Sequence, residues 1–336
     1  MIAADQVVEV RANDQVNEAR RAAAAVARTA SFEVEDEGRV ALVATEAATN
    51  LVKHGKGGYI LVRLLASGER QGVRVMAIDR GPGIPELARS LRDGFSSTGS
   101  PGTGLGAMAR QADLFDLWTH RDRGTVVLAH LWARQGVRTR PTDDSSLGGV
   151  CIPLRGELAC GDDWSAVDHN GFRTMLVTDG LGHGPLAGAA SASAKEIFQR
   201  NAHRAPAEIV EVINQGLRPT RGAAVAVVRI DSNRNEIIFC GVGNIAACIL
   251  GGERIRNLVS HHGTAGHDVR RIQEFEYEFP PEAMLILNTD GLTTHWDVDP
   301  YPGLLMRHPS VIASVLHRDF SRDRDDATVV VARRRA

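Results

Sequence analysis

The sequence predicts an α+β protein in two parts, and three observations carry that prediction. Helical apolar spacing dominates residues 13–55, strand-like alternation dominates 58–133, and short apolar runs bounded by turn residues recur from 172 to 333. Between the strand-rich regions lies "RQGVRTRPTDDSSLGG", whose Pro, Gly, Ser and mixed charge are the composition of a connector. A length of 336 residues also favours two domains over one. The expected organisation is a first domain at 1–134, a linker at 135–149 and a second domain at 150–336.

In the first part "QVVEV" reads as a strand and "NDQVNEARRAAAAVARTA" as an Ala-rich amphipathic helix. A second helix, "EDEGRVALVATEAATNLVKHG", is ended by Gly55. The runs "GYILVRLLA", "GVRVMAID", "LFDLWTH" and "GTVVLAHLWA" alternate as a sheet covered on one face, with a Gly-rich connection and a short helix at about 104–113. Helices on one side of a sheet make an α/β sandwich. In the second part "FRTMLVTD", "GAAVAVVRID", "NEIIFCGVG", "IAACILGG", "AMLILNTD" and "ATVVVARR" are strands, interrupted by helices at about 185–201 and 206–217. Two stacked sheets with helices outside, a four-layer α/β/β/α sandwich, accommodate that order. No internal repeat relates the halves.

Composition narrows the function classes. A formal net charge of −2 argues against a broadly cationic nucleic-acid or membrane surface, so neither partner is expected. Cys151, Cys160, Cys240 and Cys248 form no C-x-x-C pair, which points to reduced structural thiols. The opening "MIAADQVVEVR" has no signal-peptide pattern, and no window approaches the roughly 20 apolar residues of a membrane span. A cytoplasmic protein is the expectation.

Chemistry-bearing residues of the first part follow a fixed order. Glu46, Asn50 and His54 recur every four residues and share one helical stripe. The strand ending "AIDRGPGIP" offers Asp79 as acceptor for an exocyclic amine, while Gly81 and Gly83 permit close backbone approach to a flat base. In "STGSPGTGLGAMARQ", Gly102, Gly104 and Gly106 leave a side-chain-poor loop whose N–H groups can wrap phosphates ahead of a helix N-terminus. Each piece alone is also what an ordinary turn or a solvated helix face looks like; the order and spacing are what distinguish it.

That order resembles the GHKL ATPase family over most of residues 5–133. The stretch from "DRGPGIP" to "ADLFDL" is similar to the RsbT-type switch kinases, which phosphorylate serine or threonine in STAS-domain proteins. The resemblance implies ATP and Mg2+ as cofactors, with Asn50 holding Mg2+ and Asp79 contacting adenine. It also implies that Gly102, Thr103, Gly104, Leu105 and Gly106 form the phosphate lid and that Thr125 sits near the base. Glu46 then acts as the base on the substrate hydroxyl, a task suited to a carboxylate because phosphoryl transfer is mostly positioning and charge stabilisation. His54 is read as a helix-end residue or a phosphate contact.

The second part is marked by acidic residues at strand ends: Asp162 in "CGDDW", Asp179 in "TDGLGHG", Asp290 in "NTDGL" and Asp325 in "RDDATVVV". Converging carboxylates repel one another, raise their own pKa values and oppose folding, so such a cluster calls for hard divalent cations. Gly180, lacking a Cβ, is read as a residue whose carbonyl can turn toward a metal. No basic residue is evident beside this centre. The roles of Asp163 and Asp326 do not separate in the sequence, Asp326 reading either as orienting a ligand water or as surface; His183 reads either as assisting the leaving group or as structural in the "GHG" turn, and the loop "SHHGTAGH" invites a metal reading but fits better a loop that serves no ligand.

"GD", "DGLGHG", "VGN", "TDG" and "RDDATVVV" in this order resemble the PPM-type metal-dependent serine/threonine phosphatases, specifically the SpoIIE and RsbX branch, over residues 150–335. The resemblance implies two Mn2+ or Mg2+ ions. Asp179 would bridge them, Asp162 and the Gly180 carbonyl would complete one site, and Asp290 and Asp325 the other. Together the two resemblances predict a bifunctional partner-switching enzyme. Its kinase and phosphatase would both act on a STAS-domain stress-signalling protein, with a sigma-factor regulator as a further partner. The competing readings are a phosphatase with a non-catalytic ATP sensor and an anti-sigma-type adaptor. The sequence leaves the oligomeric state open.

Overall fold

The computed structural model describes residues 5–68, 70–91, 104–134, 144–157, 159–251 and 254–334. The chain divides into two units, Met1–Asp144 with Asp297–Val311, and Ser145–Trp296 with Ile312–Ala336. Among the described residues no helix is long and apolar enough to cross a membrane.

Unit 1 holds strands β1 (Gln6–Val10), β2 (Gly58–Ser67), β3 (Arg70–Asp79), β4 (Leu114–Thr119) and β5 (Thr125–Trp132). Its helices are α1 (Asn13–Thr29), α2 (Val34–Lys53), α3 (Leu87–Ser90) and α4 (Gly104–Gln111). The strands form one antiparallel sheet in the order β1-β2-β3-β5-β4. Helix α2 starts with Glu35, Asp36 and Glu37 and ends with Lys53, charges that complement the helix dipole. Ala19, Ala23 and Ala27 of α1 are fully buried, as are Val40, Ala44 and Ala48 of α2; small side chains there let the helices pack closely on each other and on the sheet. The Arg39 guanidinium bonds Asp36 Oδ1 at 2.7 Å and Asp113 Oδ2 at 3.2 Å, fastening α2 to the loop that enters β4.

The sheet is not covered on one face only, as its alternation suggests. Every residue of β5 is buried. Val127, Ala129 and Leu131 join the helix-side core, and on the other face His130 meets the ring of His308 at 5.3 Å. His308 belongs to the Asp297–Val311 segment of this unit. Asp116 of β4 accepts hydrogen bonds from the His308 amide (2.6 Å) and from Arg307 Nη1 (3.4 Å). Trp118 Nε1 donates to the Pro302 carbonyl at 3.1 Å, and Arg123 stacks over the Tyr301 ring at 5.1 Å. A segment supplied from 178 to 192 residues further along the chain thus covers polar and aromatic side chains of β4 and β5.

Unit 2 contains β6 (Leu147–Ile152), β7 (Asp162–His169), β8 (Phe172–Gly180), β9 (Ala223–Asp231), β10 (Glu236–Val242), β11 (Ala246–Gly251), β12 (Arg254–Asn257), β13 (Phe275–Glu278), β14 (Met284–Asn288) and β15 (Ala327–Arg333). Strand β6 begins at Leu147, inside the stretch read as connector. The strands form two five-stranded antiparallel sheets, ordered β13-β10-β9-β8-β7 and β12-β11-β14-β15-β6. Helices α5 (Pro185–Asn201) and α6 (Pro206–Gly216) each open on a proline, whose fixed φ suits a first helical turn, and cover the first sheet. Helix α7 (Pro309–Phe320) is followed by β15. The central strands β8, β9, β14 and β15 are buried at nearly every position, as strands covered on both faces must be.

Antiparallel pairing sets where the acidic residues go. Asp162, first in β7, stands directly across from Asp179 near the end of β8. Strands β14 and β15 pair Asn288 with Val329, so the turn after one and the approach to the other, carrying Asp290 and Asp325, share an end.

Candidate functional site

In unit 1 the residues singled out from the sequence meet around the start of α4. A Cβ placed on Gly104 would lie 3.3 Å from both Glu46 Oε2 and Asn50 Oδ1, so the carboxylate and amide on the α2 stripe face the N-terminus of α4. That end presents free N–H groups and a positive dipole. Asp79 Oδ1 accepts hydrogen bonds from the amides of Gly81 (2.7 Å) and Thr125 (3.0 Å), which brings two expected base contacts together. Gly83 is held at φ +77°, where a Cβ would meet the His120 carbonyl at 2.3 Å. His54 caps the C-terminus of α2 through its amide on the Asn50 carbonyl, and its own carbonyl lies beside Gly81. Leu105 and Gly106 belong to α4; Gly102 and Thr103 lie outside the described residues.

In unit 2 the four aspartates feel one another. Burial, then the charges of Asp290, Asp325 and Asp326, push the Asp179 carboxyl up to about 7. Asp162 is raised well above the carboxylate range by burial and by Asp179, against which Thr289 donates a hydrogen bond to Oδ2 at 2.7 Å. Asp290 is raised by burial and by Asp325, and lowered by Arg322 and by the Asn244 amide, whose Nδ2 donates to Oδ2 at 2.7 Å. Among the described residues no three His, Cys, Asp or Glu side chains stand close enough to hold a metal ion as placed, so ligation requires side-chain rotation. The donor set is all oxygen, partly desolvated and self-repelling, and a hard divalent cation relieves both burdens. The residues therefore fit the ions that the sequence implies.

The neighbouring carboxylates separate cleanly. Asp326 is buried, with Oδ1 accepting from the Leu154 amide (2.6 Å) and Oδ2 from the Gly161 amide (2.7 Å), so it shapes the backbone beside Asp162. Asp163 pairs instead with Lys195 Nζ of α5 at 2.6 Å. Gly180 has a further cause: a Cβ there would come within 2.2 Å of the Ala187 carbonyl, so glycine is what lets α5 lie against the end of β8. His183 Nδ1 contacts Glu157 Oε1 at 2.7 Å at the exposed rim. The "SHHGTAGH" loop braces strand ends, with Ala265 bridging to Ala223 and His267 Nε2 at 3.2 Å from the Thr220 carbonyl.

The expectation of no basic residue beside this centre is overturned. Arg221 Nη1 comes within 3.4 Å of the Cβ position of Gly182, in the loop following Asp179, and Arg322 lies near enough to Asp290 to lower its pKa. Arg221 lies outside every motif quoted for the acidic residues, whereas Arg322 stands three residues before Asp325 and shows its effect only through its neighbour Asp290. Asn244, in "VGN", is the partner of Asp290 that the motif contained without revealing its task.

Comparisons with known proteins follow this division. The family described as Histidine kinase-like ATPase domain matches residues 10–131, and Stage II sporulation protein E (SpoIIE) matches residues 171–335. The chain is 33% identical over 116 residues to Serine/threonine-protein kinase RsbT of Bacillus subtilis (strain 168), covering 34% of this chain and 87% of RsbT. The chain belongs to the histidine kinase-like ATPase family. Behind that domain it carries a PPM-type serine phosphatase domain of the SpoIIE kind, so it is a fusion of the two. Phosphoserine phosphatase RsbX of the same organism is 31% identical over 90 residues, 27% of this fusion and 45% of RsbX. The fusion thus spans less than half of that second relative. A solved structure described as "The bacterial stressosome: a modular system that has been adapted to control secondary messenger signaling" aligns with 56% of the fusion and 98% of its own chain. It does so at 25% identity and a TM-score of 0.53.

Proposed function

We propose that this fusion is a bifunctional partner-switching enzyme acting on STAS-domain proteins of a stress-signalling module. The kinase half transfers phosphate from ATP to a serine or threonine, and the phosphatase half removes it. The observation that carries this reading is the presence of two separate sets of phosphoryl chemistry, one in each unit. Glu46 and Asn50 face the α4 N-terminus in unit 1, and four interacting aspartates stand at strand ends drawn from both sheets of unit 2.

In the kinase half Asn50 would hold Mg2+, Asp79 and Thr125 would orient the adenine, and the glycine-rich stretch from Gly102 to Gly106 would offer N–H groups to the phosphates. Glu46 accepts or directs the proton of the substrate hydroxyl. In the phosphatase half Asp162, Asp179, Asp290, Asp325 and the Gly180 carbonyl would hold Mn2+ or Mg2+, with Asp179 shared between the Asp162–Gly180 set and the Asp290–Asp325 set. Bound there, such ions would supply charge neutralisation and acidify water. The chain's own residues brace the surroundings of these carboxylates: Thr289 donates to Asp162, Asn244 donates to Asp290, and Asp326 accepts from the Gly161 amide. The names RsbT and RsbX, a serine/threonine kinase and a phosphoserine phosphatase, support pairing these two activities in one chain.

The test incubates the full chain with a STAS-domain protein, ATP and Mg2+, then with Mn2+, and follows phosphorylation by mass spectrometry. Transfer that disappears in Asn50→Ala, and hydrolysis that disappears in Asp179→Asn, is the expected result. Hydrolysis without any transfer by the parent chain would leave unit 1 as a nucleotide sensor. Nucleotide-dependent capture of a sigma factor without either reaction would make the chain an adaptor.

A further inference from the structure

We infer that the excursion between Thr293 and Phe320 is a coupling element, through which nucleotide binding at the Asp79 end of unit 1 steadies the turns of unit 2 that carry Asp290 and Asp325. The inference rests on the kinase and phosphatase readings of the two sites and adds how one answers to the other.

The excursion has a closed neck. In unit 2 the Thr293 amide donates to the Phe320 carbonyl at 2.9 Å, the Arg322 amide donates to the Gly291 carbonyl at 2.8 Å, and Leu292 bridges to Ser321. The chain therefore leaves directly after Asp290 and returns just before Asp325. Gly291 is pressed so tightly against the Asp326 backbone that a Cβ on it would come within 2.0 Å of that carbonyl oxygen. Any change of angle or tension at the neck is delivered to the turns that hold the two carboxylates.

Between leaving and returning, the chain is held by unit 1. Residues Asp297–Val311 belong to that unit and grip the turn between β4 and β5. The Trp118 ring lies 5.6 Å from that of Tyr301, its Nε1 donates to the Pro302 carbonyl, and Arg123 stacks over Tyr301. The same turn fastens the stretch read as base-binding. The Asp122 amide donates to the Pro82 carbonyl at 3.0 Å, the Ile84 amide to Thr119 Oγ1 at 2.9 Å, and the Thr125 amide to Asp79 Oδ1 at 3.0 Å. From Ser310, whose Oγ accepts from Arg74 Nη1 at 3.3 Å, α7 runs unbroken to Phe320 at the neck. A continuous helix passes on a displacement that a loop would absorb.

A ligand that orders residues 79–84 orders the β4–β5 turn, and with it Tyr301 and the start of α7. A second ligand that fixes the neck then meets a chain already partly ordered, so the two favour each other. Coupling is reciprocal: metal and nucleotide tighten each other's binding by the same factor.

The experiment follows amide hydrogen exchange by mass spectrometry in the full chain, with ADP as probe, Mg2+ in large excess throughout, and the variants Tyr301→Ala and Tyr301→Phe. Calorimetry sets a saturating ADP concentration for each. ADP is expected to slow exchange in peptides spanning Gly291–Thr293 and Phe320–Arg322 about fivefold in the parent and in Tyr301→Phe, which keeps a ring beneath Arg123, but not in Tyr301→Ala. Bound ADP with unchanged exchange at the neck overturns the inference, as does equal slowing in Tyr301→Ala. Should Tyr301→Ala not fold, Arg123→Ala replaces it: reduced slowing supports the coupling and full slowing rejects it. If ADP does not bind, the nucleotide reading of unit 1 fails by itself, and the reverse arm decides the coupling. Mn2+ in place of EDTA must then slow exchange across His120–Thr125 in the parent and not in the uncoupled variant; unchanged exchange there rejects the inference.

Discussion

Asp179 concentrates the electrostatics of unit 2 in one side chain. Unfolded, it titrates near the ordinary 3.8; folded, it keeps its proton up to about 7 because burial and three neighbouring carboxylates disfavour the charge. Between those values the native chain binds more protons than the unfolded one. The stabilising contribution of this group is therefore complete below pH 3.8 and is lost as pH rises through about 7. A divalent cation competes with the same proton and reverses the trend. The gain in Tm on adding Mn2+ is expected to grow between about pH 5 and pH 7.5, read by scanning calorimetry with and without EDTA, and to flatten in Asp179→Asn. A pH-independent gain would show that the metal acts elsewhere. The acidic residues were readable in the sequence because each sits in a short motif at a strand end. The tasks of their partners Thr289 and Asn244 were not, because pairing across strands and turns decides which side chains they meet.

At the scale of the element, the junction of β8 with α5 is the tightest feature beside the acidic centre. Gly180 lets the Ala187 carbonyl approach to where a methyl group would be, and Gly161 is bonded across to it through its carbonyl at 3.0 Å. Gly180→Ala is expected to destabilise unit 2 by about 2 kcal/mol or more, because backbone cannot move aside as a side chain can. Urea denaturation followed by circular dichroism measures this, and an unchanged midpoint would mean that α5 shifts freely. The limits of the helices that the sequence predicts hold to within about two residues, with Pro185 and Pro206 marking starts and Gly55 and Gly216 lying close to ends, whereas α3 and the twelve-residue α7 are not among the predicted helices. Strands β6, β7, β12 and β13 were not read. They lie in polar or connector-like sequence, such as "LGGV" and "RIRN", and are strands because a neighbour pairs with them rather than because of their own pattern. Full burial of β5 was equally invisible, since its second cover comes from Asp297–Val311.

For the whole molecule that segment matters most. Asp116 holds it by two hydrogen bonds, one to the His308 amide. Asp116→Ala is expected to free the segment and to speed tryptic cleavage after Arg307 severalfold, detected as new fragments by mass spectrometry. Cleavage at the parental rate would show that Trp118 and Tyr301 suffice. The chain therefore does not run as two beads on a string: it enters the first unit, leaves it, and returns for fifteen residues, from Asp297 to Val311, before finishing in the second. Anyone transplanting the ATPase part from a relative inherits an obligation, because the graft must bring a matching replacement for a stretch encoded deep within the phosphatase part. Recombination at the linker alone would yield chimaeras whose donor sheet lacks its lining.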